Sequence, residues 1–504
     1  MTSQLTTPQR TSPSLKWLIL AFIGGAQLMI VLDTTIMLIA LPTAQHVLGI
    51  STAGRQWVIT AYTLGFGGPL LLGGRLSDLF GARRALITGV IGFAVASALG
   101  GAAPDLGVLV AARALQGGFA ALTAPAVLAL LMTTFTDDRE RGTAFGIWAA
   151  IATGGAALGL ILGGVLTQYL GWRWCLYVNV PISVVVALGV ARTAPSVRHS
   201  ERTSLDVVGT LLGCGGIAAL VIGLGNVASS SWGSNSVIVP FVVAAGALTA
   251  FVAVQHRVKN PLLPLRIVAN RNRGGSYMSI TFAMFGYYGA FLFLTYILQG
   301  FEHFSPVTAG FAFLPLAVIN GFTSTRIASR LLARIPVRGI AVPGLLLGAA
   351  GASVLALLTP GSSYGGLVLP AELLLGIGLG LSVMPLFATA TREADPGDAG
   401  ATGAAANTSQ QVGASIGTAV FNSIAASATA AYLAAHGTGS IVEASAHGYR
   451  VGSIGVAVVL ALAAVVAGVF ITSRPAVQSN SGASLSELDV DSETTDLTYE
   501  PEAL

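Results

Sequence analysis

The chain alternates long apolar runs with short polar breaks. Runs bounded by charges or turn residues fall near 17–41, 56–74, 85–103, 108–132, 142–168, 174–191 and 206–227. Others follow near 237–256, 275–299, 307–330, 338–358, 366–390, 401–428 and 450–472. Most are about 20 residues long, the length an α-helix needs to cross a hydrocarbon core. A membrane-spanning strand would instead need about ten residues of alternating character. Backbone polar groups in lipid must be satisfied within the element or a closed barrel, so the runs predict fourteen helices in an all-α polytopic membrane protein.

Composition agrees with this pattern. Hydrophobic residues make up 54% of the chain and charged ones 9%, and the mean hydropathy is +0.77, which excludes a water-soluble domain of this size. An even number of crossings puts both termini on one side. Of the 25 Lys and Arg, Arg55, Arg173 and Arg450 lie opposite the termini, Arg113 lies inside a span, and the others lie on the termini's side. The positive-inside bias therefore predicts cytoplasmic termini at the inner (cytoplasmic) membrane. Run 17–41 is too long for a signal-peptide core and has no small-residue cleavage site after it, so it reads as a retained first helix. The net charge of +4 then reflects topology rather than affinity for nucleic acid.

Few residues suggest chemistry. The histidines form no ligand pair at helical spacing, and Cys175 and Cys214 read as small apolar fillers without a partner. No nucleophile elbow and no phosphate-binding loop is present. The sequence therefore predicts no enzyme, no metal and no cofactor, with energy drawn from an ion gradient rather than ATP.

Two long polar connections, 192–205 and 257–273, bracket only the spans 206–227 and 237–256. Setting that pair aside leaves six spans on each side, 17–191 and 274–472, as expected of two six-helix halves related by an axis along the membrane normal. Residues 1–16 form an N-terminal tail. Residues 473–504 carry seven acids and a single base, Arg474, and are expected to be a disordered acidic tail.

Ionisable groups inside spans are costly and rare, so each becomes a functional candidate. Asp33 in the first span and Arg113 in the fourth lie at matching depth, about 12–14 Å below the outer surface at 1.5 Å per residue, where they can meet. A carboxylate in low dielectric holds a proton differently with and without a facing arginine, so a change in their separation would load and unload a proton. Glu372, near the outer end of the twelfth span, is a further candidate. Between spans two and three, Gly73 to Arg84 reads as a short charged connection: Gly73 and Gly81 turn the chain, and Asp78, Arg83 and Arg84 reach helix ends on a neighbour as a latch. Gly155, Gly159, Gly163 and Gly164 form a small-residue stripe on span five that permits close helix approach. Phe282, Phe285, Tyr288, Phe291 and Tyr296 share a broad arc of span nine, suited to core packing or to a planar apolar ligand.

These motifs resemble the major facilitator superfamily, and within it the fourteen-span drug:proton antiporter branch, over about residues 16–474. Leu32 to Pro42 is similar to that branch's first-span motif, Gln56 to Leu64 to its second span, Gly73 to Arg84 to the superfamily loop motif, and Arg113 to Gly118 to its fourth-span motif. Trp172 to Pro181, Asn260 to Pro264, Tyr296 to Gly300 and Asn407 to Gly413 also fit. The resemblance implies a major facilitator fold of two six-helix halves plus two additional central helices, working by alternating access. Asp33 would be the proton or cation site, Arg113 its coupling partner, and Asp78, Arg83 and Arg84 the latch. Trp57, Tyr62, Gln116, Asn179, Gln299, Asn407 and Gln411 join the span-nine aromatics as candidate cavity lining. One departure is Leu160, which follows Gly159 where the branch's fifth-span antiporter motif has a proline. The expected activity is proton-coupled export of an amphipathic, cationic or planar drug by a monomer in the lipid bilayer. The alternatives are a proton-coupled importer on the same scaffold and a membrane sensor that uses the acidic tail.

Overall fold

The computed structural model describes residues 13–135, 137–195, 206–226, 233–258, 261–332, 334–391, 399–437 and 441–472. Residues 1–12 and 473–504 of the terminal tails, residues 196–205 of the first polar connection and residues 259–260 of the second, Asn260 included, lie outside these residues. Among the described residues every element is helical. Eleven helices are long and apolar enough to cross a membrane, and Gly154–Tyr169 and Val207–Leu220 are shorter apolar stretches.

The first group of helices comprises α1 (Pro13–Leu48), α2 (Thr52–Gly67), α3 (Leu70–Phe80), α4 (Ala82–Gly101), α5 (Leu106–Thr134), α6 (Asp138–Tyr169), α7 (Trp174–Tyr177) and α8 (Asn179–Thr193). Side chains start three of them: Ser51 Oγ accepts from Gly54 N at 3.1 Å, Asp105 Oδ1 from Val108 N at 3.0 Å and Asp137 Oδ1 from Glu140 N at 3.0 Å, each satisfying an N–H that a helix start leaves free. The predicted second span is interrupted at Gly68–Pro69, because proline offers no N–H to continue the ladder.

The polar connection expected from Gly73 to Arg84 is corrected by the structure. Gly73 and Gly74 lie inside α3, which runs on to Phe80, and α4 begins at Ala82, so the reversal rests on Gly81 alone. Its φ of +85° is open to glycine and strained for other residues. Gly73 serves packing instead: its backbone lies so close to the Ala121 carbonyl that a Cβ would collide with it.

Next come α9 (Val207–Asn226) and α10 (Asn235–Arg257), which pack on each other through Gly213 against Phe251 and Gly216 against Leu248. Their outer faces stay exposed, with Leu211 and Val242 among the most open apolar side chains, as helices facing lipid tails require. Buried Asp206 ties the pair to the segment that follows. It caps Gly209 and accepts from Gln255 Nε2 at 2.6 Å, while Gln255 Oε1 accepts from Leu263 N at 3.0 Å.

The second group begins with short α11 (Leu265–Ala269) and contains α12 (Arg271–Tyr296), α13 (Pro306–Ala312), α14 (Leu314–Phe322), α15 (Ser329–Leu332), α16 (Arg338–Leu355), α17 (Leu369–Thr391), α18 (Ala399–His436) and α19 (Ile441–Phe470). A π-helical turn, Ile297–Phe301, extends α12, and another, Tyr364–Val368, leads into α17. One large apolar core spans these helices, built around Ile280, Tyr287, Phe293, Leu345, Leu375, Phe421 and Leu460. The first group has its own cores, around Ile23, Phe93 and Val127 and around Ile36, Val58 and Trp172.

The groups touch along α2 and α18, where Gly67 lies against Gln411 and its carbonyl accepts from Thr408 Oγ1 at 3.3 Å. They also touch along α6 and α13. There Gly164 meets the backbone of Pro306 and Val307, and Gly310 meets that of Leu160. The second contact lies at the end of the bundle that carries the α1–α2 connection.

Candidate functional site

Asp33 is fully buried in α1, and three donors from two other helices meet it. Arg113 Nη1 donates to its Oδ2 at 2.5 Å, while Gln116 Nε2 and Asn179 Nδ2 donate to its Oδ1 at 3.0 and 2.9 Å. Arg113 and Gln116 reach it together because residues three apart share a face of α5. They are also joined directly, Arg113 Nη1 donating to Gln116 Oε1 at 2.9 Å.

A second layer holds these donors. Gln116 Nε2 also donates to Ser97 Oγ of α4 at 2.6 Å, and Arg113 Nε points at the Val58 carbonyl of α2 at 3.4 Å. The guanidinium carbon lies 4.3 Å from the centroid of the Tyr62 ring, a stack that partly compensates a desolvated cation. Ile30, Ile36 and Met37 of the same helix as Asp33 are buried as well. Removing one partner of a buried, hydrogen-bonded ion pair costs about 3–5 kcal/mol, because the other charge is left uncompensated.

Among the described residues the two oxygens of Asp33 face three donors and no acceptor. A carboxylic-acid proton there would need an acceptor, such as the Gln116 or Asn179 amide oxygen turned inward, and Asn179 Oδ1 has no hydrogen-bond partner among the described residues.

The glycine stripe lies along the same helix as the site. Gly155, Gly159 and Gly163 of α6 face Leu28, Thr35 and Ile36 of α1, and Gly164 faces α13 instead. Of the residues expected to form a latch, Arg83 Nη2 donates to the Ala191 carbonyl, one of the free acceptors in the last turn of α8. Arg84 is exposed. The side chain of Asp78 lies outside the described residues. Arg75, the third arginine of the same segment, donates to the Pro261 carbonyl at 3.0 Å.

The remaining candidates are dispersed. Trp57 is half-buried near the start of α2. Asn407 donates to Gly403 O of its own helix at 3.0 Å, Gln411 packs on Gly67, and Gln299 Nε2 donates to Ile39 O across the groups at 3.2 Å. The span-nine aromatics do not form one face. Phe285 packs on Phe421, centroids 5.0 Å apart, and Tyr296 on Tyr449, 5.9 Å apart. Phe282 is half-buried against the second group's core. Tyr288 and Phe291 pair with each other at 6.0 Å, and Tyr288 lies within electrostatic range of Tyr62.

Glu372 is far better buried than its place near a span end suggests. It is fully enclosed in α17, where Oε2 accepts from Tyr364 Oη at 3.3 Å and Oε1 has no partner among the described residues. It belongs to the second group, and no hydrogen bond among the described residues joins it to the Asp33 network. Two residues escaped the sequence reading as parts of a site. Ser97 is an ordinary residue in an Ala- and Gly-rich helix and carries no signal, and Arg55 counted only as a topological charge.

A family model described as the Major Facilitator Superfamily matches residues 23–418. Similar proteins include the puromycin resistance protein of Streptomyces alboniger, 49% identical over 472 residues and covering 93% of each chain. The cephamycin export protein of Amycolatopsis lactamdurans is 36% identical over 459 residues, covering 90% of this chain and 92% of its own. Among solved structures, a POT family transporter aligns with a TM-score of 0.66 at 14% identity, covering 90% of this chain and 98% of its own. A bacterial homologue of the human lysosomal transporter Spinster, inward-facing and unoccupied, aligns with a TM-score of 0.64 at 17% identity, covering 92% and 99%. Those two structures share the fold. With the family model spanning most of the chain and close relatives matching nearly all of it, the chain belongs to the major facilitator superfamily of membrane transporters.

Proposed function

We propose that this protein exports an amphipathic antibiotic across the cytoplasmic membrane in exchange for protons, and that puromycin is the first substrate to test. The substrate follows from the relative with 49% identity, which is named for puromycin resistance. The coupling follows from one observation, the buried Asp33–Arg113 pair at 2.5 Å with Gln116 and Asn179 on the same carboxylate.

In this reading the chain crosses the membrane fourteen times with both termini in the cytoplasm, as a monomer. Residues 17–191 and 274–472 form the two moving halves, and the α9–α10 pair rides beside them. A proton from outside neutralises Asp33, Arg113 is released from it, and the halves rock about their shared contacts. Substrate and proton occupy the transporter alternately. One charge moving through 100 mV supplies about 2.3 kcal/mol, and the pH gradient adds to it. The small-residue contact of α6 with α1 gives a surface on which helices can slide, and Arg83 on the end of α8 steadies the α3–α4 turn. Tyr62 and Tyr288, on opposite halves, supply aromatic surface for the substrate. Glu372 stands apart from the coupling network.

The test is puromycin efflux from proteoliposomes energised by an imposed pH gradient. Uphill efflux that collapses with a protonophore is expected. Accumulation in the direction of proton flow would identify an importer, and no puromycin movement in a correctly folded preparation would remove puromycin as the substrate.

A further inference from the structure

Arg55 is a buried cation with no anion in contact among the described residues. It lies in the first turn of α2, is only 9% exposed, and its Nε has no hydrogen-bond partner there. Its guanidinium carbon sits 3.5 Å from the centroid of the Tyr296 ring on the other helix group. The stack offsets part of the lost hydration, yet an unpaired buried charge stays costly.

Beside Arg55 opens a cavity of about 400 Å³, within the range of small-molecule sites. Both helix groups wall it: Pro42, His46 and Arg55 from one, Tyr296, Phe304 and Tyr449 from the other. His46 is exposed and stands at the rim, and the floor is buried. Among the described residues no carboxylate lines the cavity. The Tyr296 hydroxyl, like Arg55 Nε, is buried with no hydrogen-bond partner among them. Two unsatisfied polar groups, one of them cationic, thus accompany aromatic surfaces in one vestibule.

We propose that this vestibule binds a planar organic monoanion, an aromatic carboxylate. Its oxygens meet Arg55 and the Tyr296 hydroxyl, and its ring lies among Tyr296, Phe304 and Tyr449. Because the walls belong to both groups, the bound anion ties them together and holds this end shut. The site opens to the outside in the orientation proposed above, but binding itself does not depend on that reading.

Thermal unfolding of the full-length protein in detergent, at constant ionic strength, tests the proposal with benzoate as probe and benzamide as its neutral counterpart. Benzoate is expected to raise the midpoint saturably by about 2 °C or more, benzamide to leave it unchanged, and Arg55→Gln to abolish the effect. Equal effects of the two probes, an undiminished benzoate effect in Arg55→Gln, or no effect at tens of millimolar would overturn it. Tyr296→Phe keeps the stack and removes one hydroxyl, and should weaken benzoate about tenfold. That comparison decides the matter if Arg55→Gln does not fold, since unchanged affinity in Tyr296→Phe would then overturn the proposal. Transport is not read, so failure of the export reading leaves the result intact.

Discussion

The two helix groups bury their carboxylates in opposite ways. In the first, Asp33 meets a guanidinium and two amides drawn from α5 and α8, and those donors are braced in turn by Ser97, Val58 and Tyr62. In the second, Glu372 has one tyrosine hydroxyl and, among the described residues, an oxygen with no partner, inside a core rich in Phe and Tyr. The first carboxylate has donors on both oxygens, one of them a cation. The second has no paired cation among the described residues, only the Tyr364 hydroxyl. The proposed coupling through Asp33 rests on this difference, with the second group contributing aromatic surface.

The largest expected effect comes from removing the charge in the first group. Asp33→Asn should reduce gradient-driven efflux to background while the protein still folds, as checked by efflux and thermal unfolding on one preparation. Next is Arg113→Ala, which strands Asp33 in the interior and should cost about 3–5 kcal/mol of stability. Combining it with Asp33→Asn should recover most of that loss, and a denaturation cycle in which the two effects simply add would contradict the pairing. Gly159→Val pushes a side chain into Thr35 of α1 and should destabilise by about 1–3 kcal/mol through overpacking. Gly154→Ala on the same helix faces open space and serves as the control. The smallest effect is expected in the second group. Glu372→Gln should leave efflux within about threefold of wild type, as loss of about one weak hydrogen bond implies, and a fall to background would erase the distinction between the groups.

Much of this was legible in the sequence, for physical reasons. Ionisable residues in apolar runs stand out because lipid makes them expensive, and equal depth in their spans pairs Asp33 with Arg113 without any knowledge of the fold. Gln116 and Asn179 were legible only through motif resemblance, as cavity lining rather than as Asp33 donors, because an amide does not declare its partner. Hydropathy also suggests a polar connection from Gly73 onward where the helix continues to Phe80, since arginine, serine and aspartate are all tolerated at the end of a helix leaving the membrane. Arg55 reads as an outer charge, because a one-dimensional profile cannot show that the second group covers the start of α2. The arc of span-nine aromatics fails for the same reason: helices α18 and α19 take Phe285 and Tyr296 from it.

The central claim is that export is driven through the Asp33–Arg113 pair. Its most direct test is proton release on adding puromycin to energised inside-out vesicles, comparing wild type with Asp33→Asn. The account predicts release in wild type and none in the variant; release of equal size in both would contradict it.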